Sequence, residues 1–183
     1  ELTLRRLYLL SAMPGTGKST FIKKHELDAV TLSLDTLRTI YAGTATDDNG
    51  RIVLSNGRDD LIFAKFMEAL EIRMQAGGII FIDNLNATEQ SIDFIYKLNQ
   101  KYDYDYRIVR FPLEPMQFYI DRNNQREAFK RLPTEALDRI YETFKKFDFK
   151  EKQFVITPAQ AIAEVLATPD DLIVDLNSYN KLH

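Results

Sequence analysis

The stretch from Leu7 to Thr20 constrains the fold more than any other part of the chain. An apolar run leads into a turn that contains two glycines, and Lys-Ser-Thr then opens a predicted helix. In a phosphate-binding loop, a buried strand fixes the turn, glycines let backbone N–H groups approach phosphate oxygens, and the helix N-terminus adds partial positive charge. We therefore predict a phosphate-binding loop formed by Gly15, Thr16, Gly17, Lys18, Ser19 and Thr20.

Two side chains of this loop have expected tasks. Lys18 is expected to reach the β- and γ-phosphates of a nucleotide, and the Ser19 hydroxyl is expected to hold Mg²⁺. Ala12 departs from the usual pattern, which has glycine at the first position of the motif G-x-x-x-x-G-K-[ST]. The spacing, the strand and the helix of the motif are all present.

Composition predicts a single globular domain. The chain has 183 residues, of which 45% are hydrophobic and 28% charged, enough to bury a substantial core. We predict one P-loop domain over residues 1–183, with its core at about 5–150 and closing elements at 151–183. A predicted strand from Leu172 to Val174 resembles one that runs into a linker, so a further domain is expected to follow.

Charge and cysteine content exclude several classes of protein. A net charge of −3 gives no support for a basic surface that coats nucleic acid, so any contact with nucleic acid must be local. The absence of cysteine excludes disulfides and thiolate zinc sites, and two histidines far apart in sequence do not suggest a metal cluster. No apolar run approaches the roughly 20 residues of a membrane span, and the N-terminus lacks the shape of a signal peptide. A soluble, cytoplasmic protein is therefore predicted.

Hydrophobic patterning predicts an α/β fold with a parallel sheet flanked by helices on both faces, and the phosphate-binding loop indicates the P-loop NTPase type. The long helix at 58–76 has apolar residues at every fourth position, and residues 79–82 form a fully apolar strand.

Asp35 is expected to cap its helix, and Asn86 and Glu89 have the spacing of a capping box. The segment 43–57 is predicted to be a mobile loop. Predicted strands are 7–10, 29–33, 79–82, 107–111, 154–156 and 172–174; predicted helices are 18–25, 58–76, 87–100, 133–147 and 158–166, with further helices after Ser33 and Pro115.

Four side chains outside the loop could carry phosphoryl transfer. Asp35 follows a strand and is the best-placed general base, although a plain helix cap is the competing interpretation. Arg38 lies three residues further along the same helix face and could hold an anionic part of the acceptor, or could be an ordinary surface arginine. Arg122 and Arg126 have i, i+4 spacing and are expected to project from one helix over a phosphate-sized gap, unless they belong to a solvated charged face.

Asp83 closes an apolar strand, as a metal-linked Walker-B carboxylate does. Capping of a turn is the alternative for this residue. Asp83 is therefore predicted, together with Ser19, as a candidate Mg²⁺ ligand.

The combined motifs resemble the 5′-hydroxyl polynucleotide kinase family, the kinase domains of phage and bacterial enzymes that heal broken RNA or DNA ends. The resemblance runs from about Leu7 to Phe147 and rests on four segments in register, PGTGKST, SLDTLR, GIIFIDNLN and RNNQR. It implies ATP, with other nucleoside triphosphates as possible donors, and Mg²⁺ as the cofactor. It also implies a 5′-hydroxyl RNA or DNA end as the partner, and a linked phosphatase or ligase domain in a longer chain.

The resemblance implies a role for each matched position. Lys18 and Ser19 would bind ATP and Mg²⁺, Asp35 would be the general base on the 5′-hydroxyl, and Arg38 would grip the phosphate next to that terminus. Arg122 and Arg126 match lid arginines over the donor phosphates, so the resemblance also implies a helical lid. Two alternatives remain open at this stage: a small-molecule kinase with a sugar or antibiotic acceptor, and a regulatory module that binds nucleotide without transferring phosphate. The sequence predicts no oligomeric state.

Overall fold

The computed structural model describes residues 4–54 and 57–168. Its centre is a five-stranded parallel sheet in the order β2-β5-β1-β6-β7. The strands are β1 (Arg5–Ser11), β2 (Thr31–Leu32), β5 (Gly78–Asp83), β6 (Asp105–Arg110) and β7 (Val155–Ile156), while β3 (Thr44–Thr46) and β4 (Ile52–Leu54) pair with each other. This confirms the predicted P-loop NTPase-type α/β fold. The predicted strand at 172–174 lies outside the described residues.

The central strands are buried because both of their faces are covered. In β1, Leu7, Tyr8, Leu9 and Leu10 have no exposed surface, and β1 pairs along its length with the equally apolar β5. Strands of parallel sheets become continuous apolar runs when helices pack on both faces. The apolar runs that predicted β1 and β5 therefore correspond to the middle of the sheet.

Helices cover the two faces of the sheet. Those on one face surround Leu7, Leu9 and Ile80, and those on the other surround Tyr8, Leu10 and Phe81. A third cluster, with Met13 and Tyr119 at its centre, lies beyond the strand ends beneath two further helices. The helices are α1 (Lys18–Lys24), α2 (Leu34–Tyr41), α3 (Asp59–Ala76), α4 (Glu89–Tyr102), α5 (Met116–Gln125), α6 (Thr134–Lys146) and α7 (Pro158–Leu166).

The long helix α3 confirms the periodicity argument most clearly. Ile62, Phe66, Leu70 and Met74 recur every fourth residue, and each is at most 1% exposed. Phe63, beside this stripe, is 43% exposed, and its ring contacts Phe94 edge-on. The helix ends at Gly77, whose φ of 84° is a conformation that glycine adopts readily.

Three local predictions were wrong. Ser33, not Asp35, caps α2, because its hydroxyl accepts the N–H of Thr36 while Asp35 lies in the first helical turn. The capping box of α4 is formed by Thr88 and Ser91 instead of Asn86 and Glu89. The segment predicted as a loop at 43–57 contains the antiparallel hairpin β3–β4.

No helix within the described residues is long and apolar enough to cross a membrane.

The phosphate-binding loop, the end of β5 and the start of α2 lie together at one edge of the sheet. This edge is formed by the carboxyl ends of the parallel strands, where ligands bind in open α/β sheets.

Candidate functional site

The predicted phosphate-binding loop connects β1 to α1. Its two left-handed positions are Gly15 and Gly17, with φ values of 83° and 105°. The Thr16 N–H and hydroxyl both donate to the Met13 carbonyl oxygen, at 3.2 and 2.7 Å, and so close the turn. Gly17 starts α1 without a side-chain cap, so no capping side chain occupies the first N–H groups of the helix. The loop therefore has the strand, the turn and the open helix start that phosphate binding needs.

The backbone of the loop explains Ala12. Positive φ values fall at Gly15 and Gly17, and position 12 does not require one. The Ala12 side chain is buried, with 2% of its surface exposed. Alanine is accommodated at this position because the first motif residue here has ordinary backbone geometry.

Buried polar side chains hold the start of the loop. The Ser11 hydroxyl donates to the Asn86 carbonyl oxygen at 2.7 Å, and the Asn86 amide donates to the carbonyl oxygens of Leu10 and Ile82. Asn86 adopts a φ of 46°, which asparagine tolerates better than most residues. Arg110 donates to Ser11 Oγ at 3.0 Å and to the Phe144 carbonyl oxygen, and burial lowers the pKa of its guanidinium. The loop is thus tied to β5, β6 and α6.

Lys18 points to the end of β5. Its Nζ lies 3.2 Å from Asp83 Oδ1 and donates to the Asn84 carbonyl oxygen at 2.8 Å. The Asn84 side-chain oxygen in turn accepts the Leu34 N–H at 3.0 Å, which ties the start of α2 to the same strand end. Lys18, Asp83 and the start of α2 are therefore held together at one strand end.

Ser19 and Asp83 are the predicted Mg²⁺ ligands. Ser19 is exposed in the first turn of α1, and Asp83 ends β5 beside Lys18. Within residues 4–54 and 57–168, no three or more His, Asp or Glu side chains gather around one point. These two hard oxygen donors fit a Mg²⁺ site that takes its other ligands from phosphate and water, as Mg²⁺ in nucleotide sites commonly does.

Asp35 and Arg38 lie together at the start of α2. Arg38 Nη1 donates to Asp35 Oδ1 at 2.6 Å, which confirms that the two side chains share one face of the helix. The Asp35 side chain is 68% exposed and that of Arg38 is 26% exposed. Arg38 Nε also donates to Asp59 Oδ1 at 3.3 Å. Asp59 was not predicted, because the pattern of α3 marks its buried face and gives no sign of a contact with α2.

The geometry predicted for Arg122 and Arg126 was wrong. Helix α5 ends at Gln125, and Arg126 follows it in extended conformation, so the two arginines do not project from one helix. The guanidinium of Arg122 lies over the Phe118 ring, and Arg122 Cβ is 3.0 Å from the position that a Cβ on Gly15 would take. Arg122 therefore lies against the phosphate-binding loop.

Arg126 instead lies close enough to Asp35 for their charges to interact. Burial lowers the pKa of its guanidinium, and the negative charge of Asp35 acts in the opposite direction. The Asp35 carboxylate thus lies in the field of two arginines, Arg38 from its own helix and Arg126 from the segment after α5. Arg122 therefore lies beside the phosphate-binding loop, whereas Arg126 lies near Asp35.

The segment that carries Arg126, residues 126–131, is named here the arginine loop. The buried Asn123 side chain closes it by donating to the Leu132 carbonyl oxygen at 2.8 Å and accepting the Leu132 N–H at 3.0 Å. Arg131 Nε donates to the Arg126 carbonyl oxygen at 2.8 Å. The turn Ala128–Lys130 lies against β4, so the hairpin and the arginine loop support each other.

A sequence profile for the AAA domain matches residues 7–147, more than half of the chain. The chain belongs to the AAA domain family. The matched range runs from β1 to the end of α6, and so includes the loop, Asp35, Arg38, Asp83 and both arginines. Comparison with curated protein sequences gave no match.

Solved structures of similar fold include several kinases. A presumed kinase from Chloroflexus aurantiacus has a TM-score of 0.60 at 14% identity, with 76% of each chain covered. A chain of the Pnkp1/Rnl/Hen1 complex has a TM-score of 0.53 at 20% identity, with 73% of this chain and 46% of that chain covered. A gluconokinase from Sinorhizobium meliloti has a TM-score of 0.50 at 16% identity, with 99% and 98% covered. At these identities the likeness shows the fold alone, which these proteins share with this chain.

Proposed function

We propose that this protein is an ATP-dependent kinase that phosphorylates the 5′-hydroxyl end of RNA or DNA. The observation that carries the proposal is the Asp35 carboxylate, which pairs with Arg38 at the start of α2, where Asn84 ties this helix to the strand end that binds Lys18 of the phosphate-binding loop. Arg38 binds it at 2.6 Å, and the charge of Arg126, in the arginine loop, interacts with it. A kinase acceptor site needs a proton acceptor for the attacking hydroxyl and cations for the phosphates around it.

In this mechanism, the 5′-hydroxyl oxygen attacks the γ-phosphorus and its proton passes to Asp35. The bond from the γ-phosphorus to the bridging oxygen breaks, and ADP leaves. Lys18 and Arg122 neutralise the donor phosphates, and Arg126 stabilises charge on the transferred group between donor and acceptor. Ser19 and Asp83 would hold Mg²⁺, which would further neutralise the phosphate charge when bound.

Arg38 favours a polynucleotide end over a neutral sugar as acceptor. Its guanidinium uses Nε and Nη1 in the contacts with Asp59 and Asp35, and the remaining N–H groups are available to an anion. In a nucleic acid, the phosphate next to the terminal nucleoside would supply that anion. Recognition of one phosphate by one arginine also agrees with a net charge of −3.

The test is transfer of the γ-phosphate from radiolabelled ATP to a 5′-hydroxyl oligonucleotide, as RNA and as DNA. The same oligonucleotide with a 5′-phosphate is the blocked control, and gluconate is the small-molecule acceptor. We expect label at the 5′-hydroxyl end, and a loss of at least about a hundredfold in kcat for Asp35→Asn with little change in ATP affinity. Asp28→Asn, which removes an exposed carboxylate from the turn before β2, is the matched control and should leave transfer intact.

Three outcomes would contradict the proposal. Transfer to gluconate without transfer to either oligonucleotide would identify a small-molecule kinase. Binding or hydrolysis of ATP without transfer to any acceptor would favour a regulatory module. Full turnover by Asp35→Asn would show that another group accepts the proton.

A further inference from the structure

Arg38 is held by two carboxylates that come from different helices. Asp35 is in the first turn of α2, and Asp59 is in the first turn of α3, 21 residues further along the chain. The contacts are 2.6 Å from Nη1 to Asp35 and 3.3 Å from Nε to Asp59. The arginine is therefore fixed from two directions, one within its helix and one from outside it.

The two carboxylates cannot remain equivalent during phosphoryl transfer. Asp35 must turn to the acceptor hydroxyl and accept its proton, and a neutral carboxyl group no longer attracts Arg38 as a carboxylate does. Asp59 takes no part in that step. It also lies at a helix N-terminus, where the helix dipole stabilises a negative charge.

We propose that Asp59 is a positioning residue that keeps Arg38 in place for the acceptor phosphate while Asp35 works as the base. This inference rests on the proposed function, because it assigns an acceptor phosphate to Arg38. Asp59 holds Nε, which directs the far side of the guanidinium away from α3. The N–H groups on that far side then meet the phosphate, and Arg38 need not reorganise when Asp35 changes partner.

The chain supplies a matched control in the next residue. Asp60 is exposed in the same first turn of α3, and Arg38 forms its ion pairs with Asp35 and Asp59 instead of with Asp60. Asp60→Asn removes the same charge from the same helix end as Asp59→Asn does. Any difference between the two variants therefore reports the contact with Arg38 instead of the helix dipole.

The first experiment needs no enzymatic activity. The ¹H–¹⁵N signal of Arg38 Nε, assigned by its loss in Arg38→Lys, is measured in the wild-type protein and the variants without ligand. We expect a heteronuclear NOE typical of an ordered side chain in the wild type and Asp60→Asn, a clear loss of it in Asp59→Asn, and partial recovery in Asp59→Glu. If the heteronuclear NOE of Arg38 Nε is the same in Asp59→Asn as in the wild type, the inference is wrong. This outcome does not depend on whether the protein phosphorylates nucleic acid.

The second experiment separates binding from chemistry. With a nucleoside 3′-phosphate as acceptor, we expect Asp59→Asn to raise KM about tenfold, a loss of about 1.4 kcal/mol, with kcat and the KM for ATP unchanged. With the unphosphorylated nucleoside, Asp59→Asn and the wild type should have the same KM. Equal effects on both acceptors, or an equal effect of Asp60→Asn, would show that Asp59 does not act through the acceptor phosphate. If the wild-type protein transfers nothing to either acceptor, the proposed function fails, and the NMR result alone decides whether Asp59 positions Arg38.

Discussion

At the scale of single residues, the phosphate-binding loop separates the positions that need glycine from the one that does not. Gly15 and Gly17 have φ values of 83° and 105°, in the region where side chains other than glycine are strained. A Cβ at Gly15 would also stand 3.0 Å from Arg122 Cβ. Ala12 has neither constraint, and its methyl group is buried.

Replacing Ala12 by glycine restores the usual motif, and we expect it to weaken the protein. The change removes a buried methyl group and frees the backbone of the unfolded chain, which should cost about 0.5–1 kcal/mol in the free energy of unfolding. ATP affinity should stay within about twofold of the wild type, because the loop backbone already has its final shape. Urea unfolding and calorimetric titration with ATP measure the two effects. A tenfold gain in ATP affinity would mean that Ala12 distorts the loop.

At the scale of elements, the arginine loop depends on one buried amide. Asn123 bonds both the N–H and the carbonyl oxygen of Leu132, and so spans the base of the segment that carries Arg126. Its neighbour Asn124 is exposed at the end of the same helix. Substitution of Asn123 tests the closure of the arginine loop, and the same substitution at Asn124 controls for effects on the end of α5.

We expect Asn123→Ala to destabilise the protein by about 1–3 kcal/mol, because it leaves backbone groups of Leu132 without their partners. The loosened loop should also be cut faster by trypsin after Arg126, Lys130 and Arg131. Asn124→Ala should change neither property by more than about 0.5 kcal/mol or twofold in rate. Equal cleavage rates for the two variants would show that Asn123 does not hold the loop closed.

Elements with strong periodicity or fully apolar composition could be predicted from the sequence. The pattern of α3 marked all four of its most buried residues, and the runs of β1 and β5 marked the central strands. The hairpin could not be predicted, because each strand has three residues and those of β3 are all exposed, which leaves no alternation to detect.

The sequence indicated that several candidate residues would lie near one another, and it indicated less of their geometry. Lys18, Asp35, Arg38 and Asp83 lie at the predicted strand ends, since parallel strands bring these ends to one edge. The separation of Arg122 from Arg126 depends on where α5 ends, and helix ends are poorly determined by local sequence. The Arg38–Asp59 contact is set by packing between α2 and α3, which no spacing within either helix reveals.

At the scale of the whole molecule, tyrosines with raised pKa values should lower the free energy of unfolding as the pH becomes alkaline. Burial raises the pKa of Tyr104 to about 12, and burial also raises the pKa values of Tyr8 and Tyr106. A tyrosine with a raised pKa keeps its proton longer in the folded state than in the unfolded state, where its pKa is about 10. Its contribution to stability is therefore complete below pH 10 and is lost as the pH rises toward the folded-state pKa.

Tyr104→Phe should make the protein less sensitive to alkaline pH. The Tyr104 hydroxyl is buried and has no hydrogen-bond partner among the described residues, so its removal should leave the free energy of unfolding at pH 7 unchanged or slightly raised. At pH 11, the variant should avoid a loss of about 1 kcal/mol that the wild type incurs at this residue. Tyr102→Phe is the control, because it removes a hydroxyl that donates to Glu71 at 2.7 Å and should lower stability already at pH 7. Urea unfolding at pH 7 and pH 11 measures the free energy of unfolding of the wild type and both variants. An equal fall in this free energy between pH 7 and pH 11 in the wild type and in Tyr104→Phe would show that Tyr104 does not titrate differently in the folded and unfolded states.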